Sequence, residues 1–346
     1  MRNSIRNRLT WAFIGLAIGP LLLLAIILNV QILNTQRTQA LDFQAEVARR
    51  VSAEVAAFFA RAEDQLYFVG RTQRLPALGQ EGQTSALAEL LSYQDAFETL
   101  IMLDTHGQEQ VHLSRTSVFS PVLGDRSAAD EFVISKATGE TYYSTIHFDE
   151  IARDPLMTLA VPLLDIRSGQ TEAVLVSDMR LRKIWELIAR LPLNPGQSVY
   201  ILDGQNRVVA HRNPSVVLRN VTFTPSIQGG IQPGLASVDP TSVLDVYDGF
   251  SIRALAAQLT SPNVVLATDT VELGNQKLTI VVEQTVAEAL SLTINTILVI
   301  VGLSLATLAL SLFLGLPTVR QLVNTIQTMA ETAQAISAGD LSQQVQ

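Results

Sequence analysis

The sequence predicts an α+β ectodomain, with two tandem modules of helices and strands on one long helix, between two transmembrane helices. Three observations predict it. Hydrophobic residues make up 48% of the 346 residues and charged residues only 16%. Two long stretches contain no charged residue at all. Between them, a run with helical periodicity is followed by two similar groups of short strands.

The first charge-free stretch lies between Arg8 and Arg37 and predicts a transmembrane helix over residues 10–33, after a tail of residues 1–9. About 20 mainly apolar residues suffice to cross a bilayer, and a proline such as Pro20 is tolerated in membrane helices. The alternative is a cleaved signal peptide, because three arginines precede the stretch. We favour an anchor because the apolar core is longer than that of a signal peptide and no small-residue cleavage site follows it closely.

The second charge-free stretch covers residues 290–319 and predicts a transmembrane helix over 289–316. Because the arginines before the first span favour a cytoplasmic N-terminus, we expect both termini in the cytoplasm. Residues 34–288 would then lie outside the inner (plasma) membrane. The sequence therefore predicts a two-pass protein in contact with membrane lipid.

Residues 35–74 predict one long amphipathic helix of about 57 Å. Pro76 and Gly79 end it, and residues 85–92 predict a second, short helix. The apolar residues of the long helix recur at steps of three and four, at Leu41, Ala45, Ala48, Val51, Val55, Phe58, Ala62, Leu66 and Val69.

Two groups of strands follow, which we name the first module (about 95–190, membrane-distal) and the second module (about 195–285, membrane-proximal). Both open with Leu-Asp before a glycine-containing turn. No element is assigned to residues 214–258. The first module predicts strands over 99–104, 109–114, 140–146, 156–164 and 172–179, with helices over 128–137 and 183–190. The second predicts strands over 198–203, 207–210, 263–272 and 277–284.

The order of these elements resembles the double Cache ectodomain of bacterial transmembrane sensors, over residues 34–285. The resemblance is carried by the long and short helices, the Leu-Asp hairpin, and the segments 155–162 (PLMTLAVP) and 174–181 (VLVSDMRL). It implies a PAS-like antiparallel sheet in each module and a small ligand bound by the membrane-distal module. The segment from residues 139–150 through to Ile184 and Trp185 is most similar to versions found on sensor kinases.

The last part of the chain, residues 317–346, resembles a partial HAMP domain, a parallel dimeric four-helix bundle that relays transmembrane movement. Pro317 ends the second span, apolar residues follow at heptad spacing, and Ile336 to Leu341 (ISAGDL) is similar to the end of the first HAMP helix. A solvated amphipathic helix is the alternative. The resemblance implies a homodimer whose cytoplasmic output domain or partner lies outside this chain. The residues assigned to the relay are Pro317, Leu322, Ile326, Met329, Ile336, Gly339, Asp340 and Leu341.

No catalytic or metal-binding constellation is found in the sequence. The four histidines are scattered and there is no cysteine, so a thiolate site and a metal-ligand pattern are both missing. A phosphate-binding glycine loop and a Gly-x-Ser-x-Gly elbow are missing as well. A net charge of −8 without long Lys/Arg runs excludes a nucleic-acid binder. We therefore expect no enzyme activity, no cofactor and no metal.

The resemblance implies a ligand pocket in the first module lined by Arg126, Tyr142, Tyr143 and Asp178. Arg126 would clamp a carboxylate, Asp178 would pair with an ammonium group, and a tyrosine would form a wall. Amino-acid-binding versions carry an Arg-x-Trp-Tyr-like run, whereas Ser-Ala-Ala-Asp follows Arg126 here. Recognition of an amino acid is therefore not predicted.

The predicted function is an extracytoplasmic ligand sensor and transmembrane relay, the sensor part of a histidine kinase or a related receptor such as a chemoreceptor. The signal would pass from the first module through the second span to the HAMP bundle, provided that the ligand binds two states unequally. The alternative is a stand-alone membrane-anchored structural or partner-binding protein without signalling output. An ectoenzyme is disfavoured because the sequence offers no nucleophile or metal site.

Overall fold

The structure is a computed structural model that describes residues 2–116, 122–149, 154–165, 167–238, 263–289 and part of 291–329. The chain divides into two compact units. One is Ala40–Ala289 and the other is formed by Met1–Gln39 and Leu290–Gln346.

The unit formed by the two chain ends is helical wherever it is described. Its first part is the beginning of helix α1 (Arg2–Thr72), a single 71-residue helix that contains Pro20 and the predicted span 10–33. Among the described residues, no helix is both long and apolar enough to cross a bilayer. The two predicted spans therefore stay predictions.

The C-terminal positions test the predicted relay only in part. Pro317 has helical backbone, and residues 318–320, which follow it, lie outside the described residues. Met329 is also helical and its side chain is exposed. The other predicted relay residues lie outside the described residues, namely Leu322, Ile326, Ile336, Gly339, Asp340 and Leu341.

Within Ala40–Ala289, α1 presents one apolar face to the core, as its periodicity predicts. Six of the seven predicted positions from Ala48 to Val69 are buried, including Val55 and Leu66. Phe58 is the exception, because its neighbour Phe59 takes the core position and Phe58 is only partly buried. Both residues fit the helical spacing after Val55, at three and four residues.

The first module is a six-stranded antiparallel sheet with three helices. Its elements are α2 (Gln80–Tyr93), β1 (Phe97–Leu103), β2 (Glu109–Ser114), α3 (Asp130–Thr138), β3 (Tyr142–Tyr143), β4 (His147–Phe148), β5 (Pro155–Leu164), β6 (Thr171–Arg180) and α4 (Arg182–Ala189). The sheet order is β2-β1-β6-β5-β3, and β4 also pairs with β5. The predicted hairpin, long strands and helices are confirmed.

Within the predicted strand over 140–146, only Tyr142–Tyr143 (β3) is a strand, and β4 (His147–Phe148) lies just beyond the predicted end. The reason is Ser144, whose hydroxyl accepts a hydrogen bond from the Thr158 amide at 2.8 Å. A side chain thus takes the place of a strand carbonyl, and the ladder along β5 is interrupted between β3 and β4.

The second module repeats the architecture with a five-stranded sheet. Its elements are β7 (Gln197–Leu202), β8 (Val208–His211), α5 (Pro214–Leu218), β9 (Gly229–Pro233), β10 (Asn263–Leu273), β11 (Gln276–Thr285) and α6 (Val286–Ala289). The order β8-β7-β11-β10-β9 matches that of the first sheet strand for strand. The predicted strands are confirmed, whereas α5 and β9 fall in the segment that the sequence left unassigned.

The turn aspartates fix the correspondence between the modules. Asp104 accepts hydrogen bonds from the amides of His106 and Gln108 at 2.8 and 3.0 Å. Asp203 accepts them from the amides of Gln205 and Arg207, both at 2.9 Å. Each aspartate therefore closes the same turn after the first strand of its module, which explains the repeated Leu-Asp signal.

Thr99 and Ser198 occupy equivalent positions in the two modules, because each precedes its turn aspartate by the same number of residues. Each of them lies opposite a residue with a carboxylate side chain. Thr99 lies opposite Asp178 in the first sheet, and Ser198 lies opposite Glu283 in the second. Asp178 and Glu283 are thus equivalent residues of an internal structural repeat.

The two modules contact each other directly. The Trp185 indole donates to the Val209 carbonyl at 2.7 Å, and Arg207 donates to the Ile146 carbonyl at 3.1 Å. The turn between β10 and β11 approaches β3, since a Cβ atom at Gly274 would lie 3.3 Å from the Tyr143 ring. Gly274 has a φ of +55°, a conformation that suits glycine at this close approach.

A buried amide network ties α1 to the second sheet. Gln44, fully buried, donates to the Gln284 side chain at 2.8 Å and accepts from the Gln197 side chain at 2.8 Å. Gln284 in turn donates to the Pro195 carbonyl at 2.9 Å. Buried amides of this kind must be bonded, so the network fixes the register of α1 against β7 and β11.

We predict that Gln44→Leu lowers the free energy of unfolding by at least about 2 kcal/mol, because two buried amides each lose a partner at about 1–3 kcal/mol. Urea denaturation of the full chain measures this difference. The control is Glu46→Ala on the same helix, where an exposed ion pair with Arg49 is lost and we expect a change of less than about 1 kcal/mol. Equal stabilities of the two variants would contradict the structural role of the network.

Candidate ligand-binding site

The candidate site lies on the face of the first sheet that is opposite α1. Alternation along the strands places Thr99, Thr158 and Asp178 on the same face as Ile101 and Val176. The upper part of this face packs against α3 in a small apolar cluster of Ile101, Leu103, Phe132, Ala160, Val174 and Val176, with Tyr142 against it. The other part of this face, around Thr99, Thr158 and Asp178, is polar and only half-buried.

Asp178 is the centre of the polar part. The Thr99 hydroxyl donates to one carboxylate oxygen at 2.7 Å, and the Thr158 hydroxyl donates to the other at 2.7 Å. The two threonines come from the strands on either side of β6 and hold the carboxylate in one orientation. A half-exposed carboxylate held in this way is a ready partner for a cation.

A second carboxylate lies next to it along β1. The pairing of β1 with β6 shifts between Phe97 and Thr99, which makes Glu98 the extra residue of a bulge. One Glu98 oxygen lies 3.5 Å from the Arg180 guanidinium. The other, Oε1, is buried and has no hydrogen-bond partner in the described part of the chain. A buried oxygen of this kind is unusual and marks a place where a donor is needed.

Arg126 is held by two carboxylates. Its Nε donates to Glu109 at 2.6 Å and one terminal nitrogen donates to Glu131 at 3.0 Å. Burial opposes the charged form of Arg126, but the two carboxylates outweigh burial and raise its pKa. For Glu109, burial also opposes the charge, yet hydrogen bonds from the Gly124 amide, Arg126 and His112 lower its pKa. The guanidinium is therefore already paired and is not a free clamp for a carboxylate.

The adjacent tyrosines point to opposite faces of β3. Tyr142 packs on the α3 face, where burial and the nearby Asp130 and Glu131 raise its pKa. Tyr143 is buried on the α1 face and its hydroxyl donates to Glu63 at 2.8 Å. Burial, and then the Glu63 carboxylate, raise the pKa of Tyr143.

Tyr142 and Asp178 therefore share one face of the sheet, on different strands, and Arg126 is linked to this side through Glu109 and the α3 residue Glu131. It places Tyr143 on the other face. Sequence reasoning missed Thr99, Thr158 and Glu98, because their position depends on strand register.

The equivalent face of the second module is filled by its own side chains. Glu283 is buried and its carboxylate accepts from the Tyr200 hydroxyl at 2.9 Å and from the Leu235 amide at 3.0 Å. Tyr200, which occupies the position of Ile101, is fully buried in an apolar cluster. Burial raises the pKa of Glu283 to about 7, although both donors act in the opposite direction. The Glu283 carboxylate thus receives its hydrogen bonds from groups of the protein itself.

The two sheets have the same strand order and share one helix, so the chain contains a domain of two repeated modules. A family model described as Cache domain (dCache_1) matches residues 32–293. The chain belongs to the Cache domain family, and the predicted double Cache resemblance is confirmed.

Solved structures of the same fold include ligand-binding domains of chemoreceptors. That of Pseudomonas fluorescens CtaA, in complex with L-isoleucine, is 12% identical with a TM-score of 0.52, covering 75% of this chain and 98% of that chain. That of the Pseudomonas aeruginosa PAO1 amino acid chemoreceptor PctC, in complex with GABA, is 12% identical with a TM-score of 0.50, covering 70% and 99%. No curated protein sequence matches this chain.

We predict that Glu283 makes the protein less stable as the pH rises from about 4.5 to about 7. In this window the folded chain keeps a proton that the unfolded chain has lost, so stability is greatest below the window and falls by about 3 kcal/mol across it. Urea denaturation at about pH 5 and about pH 8 measures the change. Glu283→Gln cannot titrate and should show a smaller pH dependence; the same dependence in both proteins would refute the assignment.

Proposed function

We propose that this chain is an extracytoplasmic ligand sensor that relays binding across a membrane, the sensor part of a histidine kinase or a related receptor. The single observation that carries the proposal is the contrast between equivalent carboxylates. Asp178 is half-buried and held ready by two threonines, whereas Glu283 is buried and bonded by the protein itself. A ligand would therefore bind the first module and not the second.

The chemistry of the site favours a ligand that carries an amine. Asp178 offers a half-buried carboxylate that two threonine hydroxyls hold in place, and Glu98 adds a second negative charge on the neighbouring strand. Arg126 is paired with Glu109 and Glu131, so it would position these acids and would not bind a ligand carboxylate directly. Because structures of the same fold hold L-isoleucine and GABA, amino acids and small amines are the first compounds to test.

Strand β3 supports a route from this site to the second module. Tyr142 lies on the face of the site, and Tyr143, the next residue, contacts the turn at Gly274. Tyr143 also bonds Glu63 of α1, the helix on which both modules pack. A ligand that moves Tyr142 would therefore move a contact of the second module, whose strand β11 continues into α6 towards residue 290.

The membrane topology belongs to the same proposal. Residues 10–33 and 289–316 would be the two spans, with both termini in the cytoplasm and 34–288 outside the inner membrane. The charge-free sequence supports this, as do exposed aliphatic side chains in both stretches, for example Ile26 and Leu303. Residues 317–346 would form part of a HAMP bundle in a homodimer, and the chain itself would have no catalytic activity.

A second candidate is a stand-alone membrane-anchored structural or partner-binding protein. It needs no ligand and therefore no half-exposed, pre-oriented Asp178. The partly exposed polar face favours the sensor.

We predict that a small amine or amino acid raises the melting temperature of the full chain in a thermal-shift screen, because a ligand that binds the folded state stabilises it by mass action. Asp178→Asn should abolish the shift, since the charge that pairs with the ammonium is lost. A screen without any hit, or a hit that Asp178→Asn leaves unchanged, would refute the proposed site.

The two neighbouring tyrosines provide a matched control for this screen. Tyr142→Ala should weaken the ligand by about tenfold, the effect of about 1.4 kcal/mol of lost contact. Tyr143→Phe should lower the stability of the free protein, because Glu63 loses a donor, and should leave the affinity close to that of the wild type.

The relay predicts a second outcome, in a fusion of this chain to a kinase output domain. Ile326→Asp with Met329→Asp should remove the dependence of kinase activity on the compound found in the screen, because charges in a heptad seam prevent helix packing. Gln327→Asp, off the seam, is the control. Autophosphorylation that still responds in the double variant would contradict the relay while leaving the ligand site intact.

A further inference from the structure

A cavity of about 400 Å³ lies at the C-terminal end of α1, away from the candidate site. The last turn of α1, the residues that follow it and the turn between β5 and β6 form its walls. Its charged lining residues are Arg71, Arg74, Arg167, Asp165 and Glu172.

The close approach of α1 to β5 brings the arginines of two segments together. A Cβ atom at Gly70 would lie 2.3 Å from Leu163 Cδ2, so a larger residue here would require the Leu163 side chain to move. Arg71 follows Gly70 directly, and Arg167 lies in the turn after β5. Arg74, at the end of the helix, has a left-handed backbone with a φ of 49° and a ψ of 48°, which arginine rarely adopts.

The charged groups that line this cavity are three guanidinium groups and the two carboxylates of Asp165 and Glu172. Within the described part of the chain, none of the three guanidinium groups forms an ion pair or a hydrogen bond. The Asp165 carboxylate is engaged in its own turn by the Arg167 amide at 3.0 Å and the Ser168 hydroxyl at 2.9 Å. These bonds lower the pKa of Asp165 and hold its oxygens in the turn.

We propose that this cavity is a second ligand site, which binds a small multivalent anion through Arg71, Arg74 and Arg167. The planar guanidinium fork binds carboxylate and phosphate oxygens in pairs, and the shared chemistry of phosphate and small polycarboxylates fits three such groups. The volume is that of a pocket for a small molecule. The inference does not depend on the function proposed for the Asp178 face.

The test is calorimetric titration of the full chain with inorganic phosphate and with citrate, against sodium chloride of the same ionic strength. We expect at least one of the two anions to bind with a defined stoichiometry. Arg74→Gln and Arg167→Gln should each weaken it by about tenfold or more. Arg49→Gln, an exposed arginine elsewhere on α1, should leave the affinity unchanged.

Binding of phosphate alone or of citrate alone supports the site and identifies the source of its ligand. Heat that chloride reproduces would overturn the proposal, as would affinities unchanged in both variants. The two arginines lie on separate segments, so if one variant fails to fold, which its melting curve shows, the other decides the question. Binding that survives Asp178→Asn separates this site from the first.

Discussion

The packing of both sheets against one helix is the constraint on which the rest of the structure depends. A single apolar cluster contains α1 residues such as Val55 and Phe59 together with Leu175 of the first sheet and Val282 of the second. Because α1 covers one face of each sheet, only the opposite faces are left for other tasks. The register of α1 is fixed by the buried amides around Gln44, so those faces cannot slide relative to the helix.

The sheet faces that do not pack on α1 differ between the two modules, although the two sheets have the same strand order. At the position where Asp178 meets two threonines, Glu283 meets a serine and a leucine. The longer glutamate is buried, and Tyr200 and the Leu235 amide provide the hydrogen bonds that a buried carboxylate requires. One copy of the repeat thus supplies the hydrogen-bond donors for its carboxylate from its own atoms. The other leaves its carboxylate half-exposed, which is what binding an external molecule demands.

The sequence predicts the elements whose pattern is long and regular. The periodicity of α1 and the alternation in the long strands are strong enough to survive without tertiary information. The segment around Ser144 is different, because a side-chain hydrogen bond to Thr158 interrupts the strand and no local pattern records it. Short elements such as β9 are fixed by pairing with β10, a partner distant in sequence.

The candidate site shows the same division between local and distant information. Asp178 is identified from its surrounding segment, but its bonds to Thr99 and Thr158 depend on register across three strands. Likewise, the sequence alone suggests that Arg126 is available to bind a ligand carboxylate. In the fold, its guanidinium forms an ion pair with Glu109. Residue identity is therefore visible in the sequence, whereas availability for a ligand is a property of the fold.

The two tyrosines of strand β3 point to opposite faces of the sheet, and this arrangement links the candidate ligand site to the second module. In a strand, neighbouring side chains face opposite ways, so Tyr142 and Tyr143 belong to different environments although one backbone carries both. Tyr143 is tied to α1 through Glu63 and contacts the turn at Gly274. With only two paired residues, β3 is held to the sheet by few bonds, and it is easier to shift than the long strands beside it. In the proposed relay, a ligand on the Tyr142 side would therefore act on the contact between the modules through one of the two shortest strands of the sheet.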